Sequence, residues 1–317
     1  MPSERFDFAN AQGHRLAALL DKPAGEPRAY ALFAHCFTCG KELATARRIA
    51  EGLTGLGIGV LRFDFTGLGG SEGEFANTTF SSNVADLVAA AHELRRRKRT
   101  PAILIGHSLG GAAVLAAAAA VAEARAVVTI GAPCDPAHVA GLFKDQVSEI
   151  AERGEVAVTL AGRQFRIRRE FLDDIAEQQL TEHIASLRKA LLVFHSPTDE
   201  IVGIENASHI FTAAKHPKSF VSLAGADHLL SQRSDAAYVA NVIAAWAERY
   251  LEMPPARPQP TAEPGVLVRE TRAGRFQQEI TVGAHSSSPT SRATSAGSTA
   301  GRGPMIWCSP HLVPAPR

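Results

Sequence analysis

One short segment of this chain holds residue types able to break an acyl bond: Gly106, His107, Ser108, Leu109, Gly110 and Gly111. The segment fits Gly-x-Ser-x-Gly, follows an apolar run at 102–105, and precedes a small-residue, helix-forming stretch from 112 to 124. Strand, tight turn with a central Ser, then helix is the arrangement that presents a serine as a nucleophile. The turn forces Ser108 into a strained backbone, and bulky neighbours would clash with the strand and helix it joins. Its Oγ then stands at a helix N-terminus, where the dipole favours developing negative charge.

A serine hydroxyl is a poor nucleophile alone and needs a base, and the base needs an orienting group. After such a turn the partners follow in the order acid, then His. The run 191–194 reads as a buried strand and leads into His195, Ser196, Pro197, Thr198, Asp199 and Glu200. A second strand, 219–223, leads to Gly225, Ala226, Asp227 and His228. Asp199 and His228 thus lie past the carboxyl ends of strands, where such sheets place their chemistry. His228 would take the Ser108 proton, and Asp199 would fix its tautomer and stabilise the imidazolium. Glu200 is the alternative orienter. Asp227 adjoins His228 and reads as a turn residue. His195 and His209 read as structural or exposed.

Acyl transfer also needs donors for the oxyanion, usually two backbone N–H groups. One is that of Leu109. The other lies on the loop after the strand 30–34, which continues His35, Cys36, Phe37, Thr38, Cys39, Gly40. This loop resembles the His-Gly-x loop of α/β-hydrolases, with Phe37 at the donor position and Cys36 where Gly is usual. Cys36 and Cys39 form a C-x-x-C pair. It is read either as a redox pair, whose oxidation would re-aim the Phe37 amide, or as two inert small residues. There is no second C-x-x-C and no His cluster, so neither zinc nor another metal is expected.

From about residue 3 to 251 the chain resembles the α/β-hydrolase superfamily. Phe63 to Gly73 matches the Asp-x-x-Gly-x-Gly-x-Ser loop of many lipase-like and aminopeptidase-like members. The stretch Ala34 to Cys39, the loop Arg62 to Gly73 and the stretch His216 to Leu223 carry a closer resemblance. It is to the hydrolase half of bacterial proteins that fuse an α/β-hydrolase to an OsmC-like domain. The resemblance implies an α/β fold with a mostly parallel sheet, helices on both faces, and a lid insertion between strands six and seven. It implies a serine hydrolase of esters, or of amides or thioesters, working through an acyl-enzyme without a cofactor. Two other classes compete. A non-catalytic binding module of this fold would usually lack a triad member. A thiol-dependent peroxide reductase would need cysteines of the OsmC-like domain, which Cys308 does not match.

Composition suits a soluble enzyme acting on a small acyl substrate. At 317 residues and 45% hydrophobic the chain can bury a substantial core. A net charge of +1 argues against nucleic acid or an anionic membrane as partner. The start, Met1 to Arg5, has no apolar signal region, so a cytoplasmic location is expected. His107, Ser108 and glycines interrupt the apolar run 102–121, so it does not read as a membrane span. Four cysteines in a chain of this length suggest reduced thiols.

Strand and helix patterns alternate, as in a doubly covered parallel sheet. An opening hairpin is expected around Gly13, and helices are expected with Leu43, Ala46, Ile49 and Leu53, and with Val84, Leu87, Ala91 and Leu94. The lid spans about 134–188, with a hairpin at 155–167 and a helix through Phe171, Ile175, Leu180 and Ile184. Its Arg163, Arg166, Arg168 and Arg169 are read as a solvated surface, or as partners of an anionic substrate group. Residues 1–251 form the hydrolase domain, and 252–264 a Pro-rich linker. Residues 265–284 resemble the first hairpin of the OsmC-like domain. Residues 285–317 are polar, small and expected to be disordered. Pro304 to Ala315 matches an out-of-phase reading of GC-rich codons for a stretch that fused relatives have near here, so the tail reads as a frameshift product.

Overall fold

The structure is a computed structural model that describes residues 2–160 and 162–251, and the backbone of 266–270, 278–282 and 285–287. The strands of the larger unit are β1 (Ser3–Ala9), β2 (Arg15–Asp21), β3 (Ala29–Ala34), β4 (Ile58–Phe63), β5 (Pro101–His107), β6 (Ala126–Ile130), β7 (Glu155–Leu160), β8 (Arg163–Arg168), β9 (Ala190–His195) and β10 (Lys218–Ser222). Its helices are α1 (Ala44–Gly55), α2 (Phe80–Arg96), α3 (Leu109–Ala117), α4 (Val147–Arg153), α5 (Arg169–Ala176), α6 (Leu180–Ala185), α7 (Glu205–Ala213) and α8 (Arg233–Ala247). Eight strands form one sheet in the order β1-β2-β4-β3-β5-β6-β9-β10. β1, β2 and β4 pair antiparallel, and every pairing from β4 to β10 is parallel.

The continuous apolar runs occupy the middle of this sheet because a strand covered on both faces has no polar side to alternate. Every residue of β4, β6 and β9 is buried. Alternation along each strand divides the core into two layers. Leu32, Leu61, Leu104, Val127 and Leu191 face α2 and α3. Phe33, Val60, Ile103, Ile105, Val128 and Leu192 face α1 and α8. α2 opens with a reciprocal cap, Ser82 N donating to Thr79 Oγ1 at 3.1 Å and Thr79 N to Ser82 Oγ at 2.9 Å. The opening hairpin turns at Gly13, with φ +85.

Two helical stretches differ from the sequence reading. The helix after Ser108 ends at Ala117, and 118–124 forms tight turns in which Ala120 N bonds Ala117 O at 3.0 Å and Ala124 N bonds Val121 O at 3.1 Å. Lys189 Nζ, from a distant segment, donates to Val121 O and Ala124 O and so satisfies carbonyls that a continued helix would have used. The single helix expected within the insertion is two, α5 and α6, broken at Gln179, whose φ/ψ of −111/57 is not helical. The break lets Phe171 and Ile175, then Leu180 and Ile184, reach the same core layer. The insertion between β6 and β9 also holds a 3-10 segment at Pro136–Gln146. β7 and β8 pair as the expected hairpin.

The residues beyond Thr261 form a separate unit. There β11 (Val266–Glu270) and β12 (Gln278–Val282) pair antiparallel, with Val266 opposite Val282. β13 (His285–Ser287) adds to β12, so ordered pairing runs past the point where the sequence reading ends it. The linker 252–264 and the rest of the tail lie outside the described residues.

Strand β5 and helix α3 approach closely. A Cβ added at Gly106 would lie 2.2 Å from Gly110 O and 2.6 Å from Gly111 Cα, both backbone atoms that cannot rotate away. Gly106→Ala should therefore lower unfolding free energy by about 1–3 kcal/mol or more in urea titrations. Gly25→Ala, with nothing within 4 Å, should shift it by less than about 0.5 kcal/mol. Equal effects would show that the elbow tolerates a methyl group.

Candidate active site

Ser108 sits between β5 and α3 at φ 55, ψ −127, a left-handed value that a non-glycine residue adopts only under constraint. Two backbone bonds hold it there: Ser108 N to Ile130 O at 2.9 Å and Gly111 N to Ser108 O at 2.8 Å. Its Oγ has no hydrogen-bond partner among the described residues.

Asp199 and His228 come together directly, with His228 Nδ1 donating to Asp199 Oδ2 at 2.8 Å. The other carboxylate oxygen accepts from the amides of Ile201 and Val202, each at 2.9 Å. Burial pushes the Asp199 carboxyl up, but the His228 bond and these amides together carry it below its ordinary value, so it stays ionised. Gly131, at φ +54, lets the chain pass beside the pair. A Cβ there would lie 3.3 Å from both Asp199 Oδ2 and His228 Nδ1. Glu200 is exposed and has no part in these bonds. Asp227 Oδ1 instead accepts from Ser231 N at 2.8 Å, as a turn residue does. His195 is fully buried and its Nε2 donates to Val202 O at 2.7 Å, bracing the loop that carries Asp199. His209 lies with Nδ1 3.5 Å from Cys134 Sγ.

Several residues that sequence reading passed over hold the His228 loop. Ser196 Oγ donates to Ala226 O at 2.6 Å. From α1, Thr45 Oγ1 donates to Leu229 O, and Arg48 Nη1 to Ser231 O at 2.7 Å. His107, next to Ser108 in the chain, donates from Nε2 to the carbonyl of His228 at 2.8 Å, with the two rings 5.1 Å apart. Only His107 had a local signal, its place within the Gly-x-Ser-x-Gly segment. The others act on partners far away in sequence.

The loop after β3 brings Phe37 beside Leu109, and both line one small cavity. Neither amide donates to any group among the described residues. Phe37 is a central residue of a turn closed by Cys39 N to Cys36 O at 3.2 Å. His35 Nδ1 donates to the same carbonyl at 2.8 Å. Composition favoured free thiols, but this turn sets the Cα atoms of Cys36 and Cys39 5.3 Å apart, within disulfide reach, and the two are joined. Beyond the turn, Lys41 N and Gly70 N donate to Asp64 at 2.6 and 2.9 Å, and Lys41 Nζ pairs with it at 2.5 Å. The loop is thereby anchored to the one after β4.

The insertion packs on this loop. The Phe37 ring lies 5.4 Å from Phe75 and 5.1 Å from Phe171, and Phe75 lies 4.8 Å from Phe165. Arg163 Nη1 donates to Thr38 O at 3.3 Å. Arg166 and Arg168 both pair with Glu155, and Arg169 with Asp173. Those three arginines already have anionic partners within the insertion itself. Among the described residues no group of His, Cys, Asp and Glu side chains is placed to hold a metal ion. No helix among them is long and apolar enough to cross a membrane.

Burial, with the neighbouring His228 adding to it, lowers the pKa of His107 to about 4 from 6.5. Between those values the unfolded chain binds a proton that the folded chain excludes. The stability His107 contributes is therefore complete above pH 6.5 and is lost as pH falls toward 4. Urea unfolding at pH 4.5, 5.5 and 6.5 should give a His107→Gln variant a shallower dependence, by up to one proton, than the wild type. Parallel slopes would assign the acid sensitivity to other groups.

Residues 25–163 match the family described as serine aminopeptidase, S33. Monoglyceride lipase of Rattus norvegicus is 33% identical over 114 residues, which cover 35% of this chain and 37% of that protein. Est1E from Butyrivibrio proteoclasticus, solved with ferulic acid bound, shares the fold at 20% identity, with a TM-score of 0.64 over 77% of this chain and 98% of that one. The esterase domain of a Rhodothermus marinus protein is 50% identical, with a TM-score of 0.64 over 79% of this chain and 99% of that one. With half of its aligned residues shared along the whole of that domain, and with the sheet order and elbow described above, the chain belongs to the serine-dependent α/β-hydrolases.

Proposed function

We propose that this hydrolase cleaves carboxylic esters of small acyl substrates through an acyl-enzyme formed on Ser108. The observation that supports the reading is the 2.8 Å bond from His228 Nδ1 to an ionised Asp199, with the His228 carbonyl bonded at 2.8 Å by His107, the residue before the strained Ser108. With Nδ1 donating to Asp199, the Nε2 of a neutral His228 keeps a lone pair for the Ser108 proton. Attack of Oγ on the ester carbonyl gives a tetrahedral oxyanion, for which the undonated amides of Phe37 and Leu109 are the available donors. His228 returns the proton to the leaving alkoxide. It then takes one from water, whose oxygen attacks the acyl-enzyme and releases the acid. An amide or thioester would follow the same steps. The aromatic rings of Phe37, Phe75, Phe165 and Phe171 favour an apolar acyl group beside the site. The cytoplasmic setting and the likeness of 265–284 to an OsmC-like hairpin belong to this proposal, resting on sequence alone.

Ser108→Ala should remove p-nitrophenyl ester hydrolysis by several orders of magnitude and abolish fluorophosphonate labelling, while leaving the melting temperature within a few degrees. Undiminished labelling would refute the nucleophile assignment.

Neutralising an acid that orients a triad His costs on the order of 10⁴ in kcat. Asp199→Asn should approach that loss, whereas Asp227→Asn, which alters only a turn bond to Ser231, should cost less than about tenfold. The acid is misassigned if the Asp227 variant proves the slower of the two in steady-state assays.

A further inference from the structure

We propose that the Cys36–Cys39 pair is a reversible thiol–disulfide site that sets the competence of the oxyanion loop, with the closed disulfide as the active form. This rests on the assignment of the Phe37 amide to the oxyanion hole. The bond spans Phe37 and Thr38 alone, so it constrains Phe37, which lines one cavity with Leu109, and Thr38, whose carbonyl accepts from Arg163 of the insertion. With the ring closed, the Phe37 N–H is undonated among the described residues, as is that of Leu109. The sequence reading had oxidation re-aim this amide. The folded loop argues for the opposite sign, because the closed ring already coexists with a free donor. Once the ring opens, one backbone bond, Cys39 N to Cys36 O at 3.2 Å, still closes the turn, with Arg163 on Thr38 O and His35 on Cys36 O holding it from outside. A β-turn held by one such bond has more freedom than a cross-linked one, and removing one oxyanion donor typically costs about 10²–10³ in kcat.

The two sulfurs differ in access. Cys36 is 7% exposed, whereas Cys39 is part-exposed. A dithiol reductant would attack Cys39 Sγ as its thiolate, expelling the Cys36 thiolate, which takes a proton. The second thiol of the reductant would then displace Cys39, leaving the reductant as its own disulfide. Two electrons and two protons pass to the protein, and a small-molecule disulfide reverses the exchange. Cys134, the free thiol among the described residues, lies against His209 and takes no part.

The test poises the full chain in mixtures of reduced and oxidised dithiothreitol and measures thiol content, kcat and KM for p-nitrophenyl butyrate together. We expect reduction to expose two further thiols and to lower kcat about tenfold to a hundredfold with KM changed less than threefold. Oxidised dithiothreitol should restore the rate. A Cys39→Ser variant should show the low kcat at every poise and no response. The inference is overturned if kcat stays constant while the two thiols appear, if oxidation rather than reduction lowers it, or if Cys39→Ser keeps the full rate. Should Cys39→Ser fail to fold, the wild-type titration decides. Ser108→Ala, assayed alongside, separates this outcome from the first reading: activity persisting without Ser108 would indict the nucleophile, not the redox site.

Discussion

The close approach of strand β5 to helix α3 is the constraint on which the site depends. Gly106 and Gly110 are there because their neighbours are backbone, and Gly111 because its nearest neighbour is the fixed Cβ of Ala132. A Cβ on Gly110 would meet Ala34 O and His35 O at 2.4 Å, and one on Gly111 would meet Ala132 Cβ at 2.4 Å. The first of these contacts presses α3 against the start of the loop after β3, and the second presses it against the chain just past β6. Only with both approaches in place does the Leu109 amide lie beside Phe37 and the strained Ser108 project between them. The strain at Ser108 is offset by this packing and by its bond to Ile130, not by any local preference.

Loops otherwise free to wander are tied to that rigid corner by polar bonds. The His228 loop is held by its own carbonyl to His107, by Thr45 and Arg48 from α1, and through Ala226 to Ser196. The acid loop is held by His195 and by the two amides that Asp199 accepts. Burial and the neighbouring His228 both favour a neutral His107 at this place. The region after β4 is organised in the same way around buried ions. Arg62 pairs with Asp21 at 2.7 Å, both nearly inaccessible, and Asp64 gathers Lys41 and Gly70. Losing one partner of such a pair leaves a buried charge without compensation.

The insertion does more than cover the sheet. Its buried face joins the main core through Val158, Phe165, Phe171 and Ile184, and its aromatic residues continue onto Phe37. A segment seated in this way packs against the loop after β3 through Phe171 and Phe37. Its arginines are spent on Glu155, Asp173, Asn77 and Thr38 O.

What the sequence determined by itself were the features written in neighbouring residues. The elbow showed in its glycines. The central strands showed as unbroken apolar runs, the insertion hairpin as alternation around Gly162, and the two loops bearing Asp199 and His228 by following strands in order. Tertiary structure decided what depends on groups distant in the chain. Where α3 stops was set by Lys189 reaching back to Val121 and Ala124. The break between α5 and α6 was set by the core each must reach. The bond from His107 to the His228 carbonyl, the narrow passage at Gly131, and the closure of Cys36 on Cys39 all require positions fixed by the sheet. The physical reason is one of range. Backbone preference and periodicity act over a few residues, whereas a hydrogen bond or a close contact between strand ends exists only once the intervening chain has been packed away.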